Sequence, residues 1–583
     1  MPTLEWIGKD KVVNHHLEVP YRVLERQYSF DENGQNEADN GSENKIIHGD
    51  NLEALKSLLP QYEGRVKCIY IDPPYNTGNE GWVYNDNVND PHIKAWLNKT
   101  VGKEGEDLSR HDKWLCMMYP RLKLLQKLLS EDGVIFISID DTEYANLKLI
   151  CDEIFGSNCF VSNISWQRTY STRNDSNGIV NEVEHIVVYS KQPDWNPNKL
   201  PRTAEMDAKY KNPDNDRTLW RTDNAFAPGA ATHQGMVYAI QHPFTGKMLY
   251  PANGRCWTFG QDQMLEIMRG WCSYELRDLN DSHERAVVCG VPESDVRQGV
   301  QAIVLSEPLE VSKQKAQAVY DRGQWPRFFF TKGGKGGIAR KTYLENVGGK
   351  LPTNFWPFSE TGHTDEAKKE MLAIFDGKAT FDTPKPHRLI EFVLKIAGNE
   401  NALILDSFAG SGTTAHAVLN MNKADGGHRK FILVEMGDYA DSITAERVKR
   451  VIRGYGEGKN AVEGTGGNFS FYELGEPLMV GDVLNENVGV DKIREYVYFT
   501  DTKTPLPESC PEEPYLMGVH VNSAYYFYYE KQSVTTLNRQ FLHTVKTKAD
   551  AYVIYADLCT LGETELEKYH ITFKKIPRDI TKL

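Results

Sequence analysis

The sequence has no long apolar run, no closely spaced pair of cysteines and no excess of positive charge. Its longest clear apolar stretch, Gly133–Ile139, is far shorter than the roughly eighteen residues of a membrane-spanning helix. Its first residues lack the basic-then-apolar order of a signal peptide. Nine cysteines, an odd number without a CxxC pair, argue against a disulfide framework and against a zinc ribbon. We therefore expect a cytoplasmic protein without membrane contact.

The net charge of −14 disfavours a protein that coats nucleic acid without specificity. A local basic surface is still compatible with this charge, because the distribution of charges matters more than their sum. With 583 residues the chain is too long for one hydrophobic core, so we expect roughly two to four domains. Its content of 40% apolar and 25% charged residues is typical of globular proteins.

Two stretches of the chain alternate short apolar runs with amphipathic helical patterns. The first predicts strands and helices at residues 45–50, 51–59, 66–71, 114–129 and 133–139, and a terminal hairpin from residues 163–166 and 185–190. The second predicts them at residues 386–397, 402–405, 413–421, 430–434 and 438–453. This rhythm indicates an α/β fold around a parallel sheet with crossover helices.

Changes in composition suggest the domain boundaries. Residues 1–44 are polar and are expected to form an irregular N-terminal arm. Residues 193–355, rich in Pro, Gly, Asn and aromatics, interrupt the α/β rhythm in the manner of an inserted domain. The two halves of the α/β core then cover residues 45–192 and 356–460, and residues 461–583 are expected to form a small α+β domain.

A glycine-rich turn, with the sequence DSFAGSGTTA from Asp406 to Ala415, follows one of the predicted strands. Gly410 and Gly412 allow the backbone to approach a ligand, and the following helix offers free N–H groups. A P-loop is excluded because no Lys-Ser/Thr pair follows the last glycine. The turn fits a dinucleotide or S-adenosylmethionine, with Glu435 at the ribose. It also fits a structural turn without a ligand.

A second turn, Asp72-Pro-Pro-Tyr-Asn-Thr-Gly78, follows the buried strand at 66–71. Its two prolines fix the chain and remove two N–H donors, so the Asp72 carboxylate and the Pro73 carbonyl are left as acceptors. Together with the flat ring of Tyr75 they suit a planar group that carries an NH2. The alternative is a rigid loop with an exposed tyrosine. The position favours the binding site, because ligands bind at the carboxyl ends of strands in open α/β sheets.

The pairing of DPPYNTG with DSFAGSGTT resembles the DNA methyltransferases that methylate amino groups with S-adenosylmethionine. The catalytic turn precedes the cofactor turn, with a long insert between them, as in the circularly permuted β class that acts on adenine N6. The chain is most similar to the modification subunits of type III restriction–modification systems, through further matches at residues 47–55, 114–122, 133–141, 362–367, 383–386 and 406–414. The resemblance implies a Rossmann-like α/β methyltransferase sheet with a target-recognition domain at residues 193–355.

The resemblance also implies a cofactor site for S-adenosylmethionine. It assigns Asp50 near the adenine, Glu435 at the ribose, Lys385 and Pro386 near the methionine carboxylate, and Asp406, Phe408, Gly410, Gly412 and Thr413 around the methionine part. Three of these residues also have simpler explanations. Asp50 fits a helix N-cap, Glu435 a surface acid and Lys385 a solvated side chain.

For catalysis the resemblance implies Asp72, Pro73, Pro74 and Tyr75. The exocyclic nitrogen of adenine is a poor nucleophile because its lone pair is delocalised into the ring. Hydrogen bonds to Asp72 and the Pro73 carbonyl would localise that lone pair while Tyr75 stacks on the base, and direct displacement would then need no metal. The base has to leave the duplex to reach such a pocket. Asp rather than Ser at position 72 favours adenine N6 over cytosine N4.

The end of the insert is locally basic, with nine lysines and arginines between residues 311 and 350 against Asp321 and Glu345. Aromatic residues and two Gly-Gly steps lie between them. A flexible basic loop of this kind suits contacts with DNA phosphates, and the candidates are Lys332, Lys335, Arg340 and Lys341. The alternative is a solvated surface loop.

The resemblance implies double-stranded DNA as substrate, a helicase–nuclease restriction subunit as partner, and a homodimer. Methylation of RNA or of cytosine N4 by the same core stays open. An NAD-dependent oxidoreductase would explain Gly410 to Ala415 and Glu435, but it leaves the Asp72 turn without a role. The last alternative, a non-catalytic subunit that docks DNA for a nuclease, is disfavoured by the intact Asp72–Tyr75 turn.

Overall fold

The computed structural model describes residues 4–77, 110–170 and 179–578, so Gly78 of the Asp72 turn lies outside the described residues. The chain divides into two compact units. The first contains the chain up to Asn198 and from Pro352 onward, and the second is Lys199–Leu351. Within the described residues, no helix has the length and apolar content needed to cross a membrane.

An eleven-stranded sheet forms the centre of the first unit. In chain order its strands are β1 (Arg22–Asp31), β2 (Gly34–Asn36), β3 (Lys45–His48), β4 (Val66–Ile71), β5 (Leu129–Ile139), β6 (Phe160–Gln167), β7 (Val183–Ser190), β8 (Phe355–Trp356), β9 (Leu403–Asp406), β10 (Lys430–Glu435) and β11 (Asn468–Pro477). They lie in the order β8-β6-β7-β5-β4-β9-β10-β3-β11-β1-β2. Six neighbouring strands of this sheet are parallel, and in sheet order they are β5, β4, β9, β10, β3 and β11.

Helices cover the parallel strands, as the alternating pattern predicts. They are α1 (Asn51–Tyr62), α2 (Arg110–Leu128), α3 (Tyr144–Phe155), α4 (His387–Ala397), α5 (Thr413–Asp425) and α6 (Glu446–Arg453). The central strands are buried along almost their whole length, which explains why they are continuous apolar runs in the sequence. The α/β fold is therefore confirmed, and the predicted hairpin is the antiparallel pair of β6 and β7.

Shorter elements complete this part of the first unit. They are the helices Lys9–Val12, His15–Glu18, Phe358–Thr361 and Thr364–Ile374, the 3-10 helix Ser157–Cys159, and the π-helix Ala440–Ala445 that leads into α6. The single helix predicted at 438–453 is thus divided between a π-helical and an α-helical segment.

The expectation of an irregular N-terminal arm is wrong for residues 22–31. They form β1, which pairs antiparallel with β11, with Arg22 opposite Pro477 and Asp31 opposite Asn468. The local sequence could not reveal this strand because charged residues break its apolar alternation and its partner lies near the other end of the chain. The residues that follow the expected boundary at 461 likewise include a strand of the main sheet.

The second unit has three small sheets built from strands of two to six residues. They contain Trp220–Asn224 with Phe328–Phe330 and Ile338–Tyr343, Phe226–Pro228 with Arg255–Trp257, and Ile240–Gln241 with Met248–Leu249, Tyr274–Arg277 and Ala302–Leu305. Its helices are Ala204–Asp207, Gln261–Met268, Ser282–Cys289, Leu309–Arg322 and a kinked Thr331–Gly334, and its 3-10 helices are Gln234–Met236, Glu293–Asp295 and Leu344–Asn346. The expected flexible basic loop is therefore largely a helix and two strands around an aromatic core.

The C-terminal residues of the first unit form a second, four-stranded sheet. Its strands are Leu516–His520, Ser523–Phe527, Ala551–Ala556 and Ile571–Lys575, and the helices beside it are Val490–Thr502, Arg539–Leu542 and Glu563–Lys568. Short strand pairs join Gly454–Tyr455 to Val462–Glu463 around the 3-10 helix Gly458–Asn460, Met479–Val480 to Val483–Leu484, and Thr536–Leu537 to Leu558–Cys559. Two apolar clusters pack against this sheet.

Candidate active site

Acidic side chains end or follow five neighbouring parallel strands of the main sheet. They are Asp50 after β3, Asp72 after β4, Asp140 after β5, Asp406 at the end of β9 and Glu435 at the end of β10. The carboxyl ends of parallel strands meet at one edge, so the fold gathers these carboxylates where α/β proteins bind ligands. β7 runs antiparallel to β5, and this brings Glu184, near its start, to the same edge.

The Asp72 turn is fixed from both sides. Pro73 is buried, and the indole Nε1 of Trp114 in α2 donates to the Pro74 carbonyl at 2.7 Å. Asn76 is fully buried with a φ of 60°, and its amide donates to Glu143 at 2.5 Å. A left-handed backbone at a residue other than glycine is held only where its surroundings support it. These contacts give Tyr75 one defined position.

The Tyr75 hydroxyl lies between two carboxylates. It is 2.7 Å from Asp72 Oδ1 and 2.6 Å from Glu184 Oε1, so its single hydrogen serves one of them at a time. Burial, and then the charges of Asp72 and Glu184, raise the pKa of Tyr75 well above its usual value. The phenol therefore keeps its proton at neutral pH and acts as a hydrogen-bond donor.

The Lys385 ammonium closes this cluster. Its Nζ lies 2.8 and 2.7 Å from the two oxygens of Asp72, 2.7 Å from the Tyr75 hydroxyl and 3.2 Å from Glu184 Oε1. It also lies 5.1 Å from the centre of the Tyr75 ring. Burial would lower the pKa of Lys385, but the charges of Asp72 and Glu184 outweigh burial and raise it. The lysine is therefore charged and engaged by Asp72, and it is not solvated.

The glycine-rich turn after β9 is held by Glu435. One carboxylate oxygen accepts from the N–H of Gly410 at 2.7 Å, and the other accepts from the N–H of Gly437 at 2.9 Å. Gly412 has a φ of 82°, and a Cβ there would lie 2.9 Å from the carbonyl of Thr444, so the turn requires glycine at this position. Glu435 is buried, which raises its pKa, and the structure excludes the surface acid considered above.

Asp406 stabilises the same turn from within. Its carboxylate accepts from the N–H of Phe408 at 3.1 Å and from the Thr414 hydroxyl at 2.6 Å. Burial raises the pKa of Asp406 to about 7 despite these two hydrogen bonds. The Thr413 hydroxyl donates to the carbonyl of Lys385 at 3.2 Å, and this contact ties the start of α5 to the segment that precedes Pro386 and α4.

The Asp72 turn and the glycine-rich turn both line one cavity of about 430 Å³. Lys385, Glu184, Trp166 and Arg168 also line it. A second cavity, of about 600 Å³, lies at the ends of β3 and β10 beside Asp50, Met436 and Asp438.

Asp50 is the N-cap of α1. Its carboxylate accepts from the N–H groups of Leu52 at 2.8 Å and Glu53 at 3.2 Å, and lies 3.4 Å from Arg121 Nη2. The N-cap suggested by the sequence is therefore confirmed. Asp50 also borders the second cavity, so capping and ligand contact are compatible.

The sequences of known proteins identify the family. A profile of the DNA methylases, the N6 and N4 methyltransferases, matches residues 66–446, a range that contains both turns and well over half of the chain. The chain belongs to the N6/N4 DNA methylase family.

This methylase is similar to proteins of restriction–modification systems. It is 33% identical over 478 residues to the type III StyLTI Mod subunit of Salmonella typhimurium, a match that covers 77% of this chain and 62% of that protein. It is 28% identical over 469 residues to the type III EcoPI Mod subunit of Escherichia phage P1, covering 74% and 63%. It is 30% identical over 392 residues to the type II methyltransferase M.KpnI of Klebsiella pneumoniae, covering 67% and 80%. The chain thus spans less than two thirds of the length of the two Mod subunits.

One predicted DNA contact of the methylase is wrong. Lys341 is fully buried in the second unit, where its ammonium bonds to Asp214 and to Asp216, the latter at 2.6 Å. From the sequence alone, a basic residue is expected on the surface. The Lys341 ammonium is instead buried, where it neutralises two carboxylates. Arg340 is bonded to Asp223 at 3.1 Å. Lys332 and Lys335 lie in the turn between the strands Phe328–Phe330 and Ile338–Tyr343, and both are exposed.

Sequence reasoning missed two residues that contact the predicted site of the methylase. Glu184 is bonded to Tyr75 and Lys385, and Arg447 of α6 is bonded to Ser411 and Thr413. Neither residue belongs to a recognisable motif, and both reach the site through pairings between distant strands and helices. The sequence offered one signal for Glu184, namely an acidic residue at the start of the second strand of the predicted hairpin.

Proposed function

We propose that this methylase is the modification subunit of a type III restriction–modification system and that it methylates N6 of adenine in double-stranded DNA. The observation that carries the proposal is the shared cavity, which the Asp72 turn and the glycine-rich turn line from two sides. An NAD-dependent oxidoreductase would leave the fixed Asp72–Tyr75 turn without a purpose. The similarity to Mod subunits supports the biological assignment.

S-adenosylmethionine fits the residues present. Glu435 accepts from the backbone N–H groups of Gly410 and Gly437 and also from the Tyr439 side chain, and this fixes its carboxylate at the strand end where an acid would meet ribose hydroxyls. The glycine-rich turn brings its backbone to the cavity, and the cavity beside Asp50 and Met436 gives an adenine ring a place at the neighbouring strand ends. When bound, this cofactor supplies an electrophilic methyl group.

The Asp72 turn would hold and orient the target amino group. The Asp72 carboxylate and the Pro73 carbonyl accept its two hydrogens, which favours a localised lone pair on the nitrogen. The Tyr75 ring supports the face of the base, and its hydroxyl keeps Asp72 in place. These contributions are positioning and placement of charge, from which most of the rate enhancement would come.

Lys385 occupies the position that the amino group would need. Its ammonium donates to both oxygens of Asp72 and to the Tyr75 hydroxyl, so in chemical terms it stands in for an NH2 group presented to Asp72. A target base must displace it from Asp72. Glu184, 3.2 Å from the same nitrogen, keeps a counter-charge for the displaced lysine. A Lys385 side chain moved in this way would also be available to the carboxylate of the cofactor.

The experiment is methyl transfer from labelled S-adenosylmethionine to genomic DNA that lacks prior methylation, followed by nucleoside analysis. N6-methyladenine that disappears in Asp72→Ala is the expected result. N4-methylcytosine would retain the catalytic turn and overturn the choice of base. An absence of transfer to DNA, with or without an added restriction subunit, would contradict the proposal.

Lys332 and Lys335 are the DNA-binding candidates that the proposal retains. Replacing both with alanine should weaken binding to duplexes of any sequence and lower the slope of log K against log[salt] by about 2, because each phosphate contact contributes about 0.9. The matched control is Lys247→Ala with Lys313→Ala, two other exposed lysines of the second unit. An unchanged slope in the double variant of Lys332 and Lys335 would remove them from the interface.

The partner and the assembly follow from the same proposal. A helicase–nuclease restriction subunit would cleave DNA at sites that this subunit recognises and leaves unmethylated. The homodimer and the cytoplasmic location stay predictions. Light scattering of the purified chain tests the first directly, since a dimer would have about twice the 66.3 kDa mass of the chain.

A further inference from the structure

A cluster of buried charged side chains lies behind the glycine-rich turn, and no step described so far uses it. Arg447 has no exposed surface, and its Nη1 lies 2.9 Å from Ser411 Oγ and 2.7 Å from Thr413 Oγ1. Its Nη2 lies 3.1 Å from His416 Nδ1 and 3.2 Å from Glu370 Oε2. The guanidinium thus connects α6 to the turn and to Glu370 of the helix Thr364–Ile374.

Three members of this cluster have the chemistry of a metal site, but a metal does not fit the arrangement. Ligand atoms of Glu370, His387 and His416 lie within 4.8 Å of one another. Arg447 already bonds to His416 Nδ1 and to one oxygen of Glu370, so a positive charge is present beside the donors. His387 Nδ1 forms an ion pair with the other oxygen of Glu370 at 2.7 Å. We therefore assign the cluster to Arg447 and not to a metal.

The direction of the hydrogen bonds gives the cluster its consequence. A guanidinium only donates, so Ser411 and Thr413 accept from Arg447 and keep their own hydroxyl hydrogens as donors. Thr413 donates its one hydrogen to the carbonyl of Lys385, and its Oγ1 lies 3.2 Å from Ser411 Oγ. Ser411 lines the cavity, where a donor backed by a buried positive charge is a partner for a carboxylate.

Several side chains hold the glycine-rich turn, Asp406 among them. Gly410 and Gly412 have φ values of 51° and 82°, which few residues adopt. The Gly410 N–H is held by Glu435, and its carbonyl accepts from the Thr444 hydroxyl at 2.6 Å. Arg447 is a further anchor, and unlike Glu435 and Thr444 it carries a positive charge.

We propose that Arg447, held by Glu370, is a positioning residue that fixes the Ser411 hydroxyl as a donor for the carboxylate at the amino-acid end of the cofactor. The inference rests on the proposed use of S-adenosylmethionine. It assigns a positive charge to that end of the cavity while Lys385 is engaged by Asp72.

The test is the binding of two ligands to the full-length chain, measured by calorimetry. S-adenosylhomocysteine carries the amino-acid carboxylate, and 5′-methylthioadenosine lacks the whole amino-acid end. The variants are Arg447→Lys, which keeps the charge but loses the fork geometry, and Glu370→Gln, which leaves Arg447 in place and removes its counter-charge. Arg450→Lys is the matched control, because it changes an arginine of the same helix that pairs with Glu446 and Asp376.

We expect Arg447→Lys to weaken S-adenosylhomocysteine about tenfold or more, the cost of a charge-assisted contact. Glu370→Gln leaves the guanidinium without its counter-charge, so it should strengthen S-adenosylhomocysteine relative to 5′-methylthioadenosine. Binding of 5′-methylthioadenosine should change less than about twofold to threefold, and Arg450→Lys should change neither ligand. Equal losses for both ligands would mean that Arg447 only supports the turn, and this would overturn the inference, as would unchanged binding of both. If the unmodified chain binds neither ligand, the proposed cofactor is wrong. If Arg447→Lys does not fold, the Glu370→Gln comparison decides alone.

Discussion

Replacing Asp72 with asparagine tests the centre of the proposed reaction. The substitution keeps the shape of the side chain but removes its charge and converts one of two acceptors into a donor. In the structure both oxygens of Asp72 face the Lys385 ammonium, at 2.7 and 2.8 Å. An amide can offer only one oxygen to Lys385, and the same oxygen would have to serve the target amino group.

The expected loss can be estimated from this geometry. A hydrogen bond to a charged acceptor contributes about 1.5–3 kcal/mol, and each 1.4 kcal/mol is a factor of about ten in rate. Asp72→Asn should therefore lower kcat about 10- to 150-fold. Cofactor affinity should change less than about threefold, because the glycine-rich turn and Glu435 do not contact this carboxylate directly in the described hydrogen bonds.

The assay is single-turnover methylation of unmethylated DNA with tritiated S-adenosylmethionine, together with calorimetric binding of S-adenosylhomocysteine. Asp132→Asn is the matched control, because Asp132 pairs with Lys67 at the other end of β4 and is exposed. The control should retain full activity. A loss below about threefold in Asp72→Asn, with the control normal, would refute the role of this carboxylate at the amino group.

Three further predictions concern other residues. Tyr75→Phe removes the hydroxyl between Asp72 and Glu184 but keeps the ring, so kcat should fall about tenfold with little change in KM for DNA, measured in the same assay. Burial raises the pKa of Asp406 to about 7, so the folded chain holds this proton more tightly than the unfolded chain, and thermal stability should fall as pH rises from about 4 to about 7. Melting curves across the same pH range should show that Asp406→Asn loses this part of the slope. Lys341→Met leaves the buried carboxylate of Asp214 and the partly exposed carboxylate of Asp216 without their cation. It should destabilise the second unit by about 3–5 kcal/mol in urea unfolding, whereas a mild effect would contradict the buried pairing.

Most of the parallel sheet could be predicted because its strands are buried on both faces and are therefore apolar throughout. β4, β9 and β10 were predicted to within one residue at each end. β1 was missed because its charged residues hide the alternation and its pairing partner, β11, is distant in sequence. The strands of the second unit are two to six residues long, too short for a periodic pattern to identify them.

The candidate site divides in the same way. The Asp72 turn and the glycine-rich turn are contiguous motifs, so the sequence carries them in full. The contacts of Lys385 with Asp72 and of Arg447 with Ser411 join residues that are far apart in the chain, and only the fold brings them together. Lys341 was misjudged for a related reason, since the two acids that neutralise it are more than a hundred residues away.

The order of strands in the main sheet has a consequence for how the protein is made. β9 and β10 come from the second half of the chain but lie between β4 and β3 from the first half, and β11 lies beyond β3. A growing chain therefore cannot complete this sheet until about residue 477 has left the ribosome, whereas the chain of the second unit, Lys199–Leu351, is complete earlier. Synthesis from the end of β4 to the end of β11 covers about 400 residues, which at 5–20 residues per second takes roughly 20 to 80 s. During that time β3 lacks both of its neighbours and β4 lacks β9, so a chain released before β9 would contain the Asp72 turn without the glycine-rich turn.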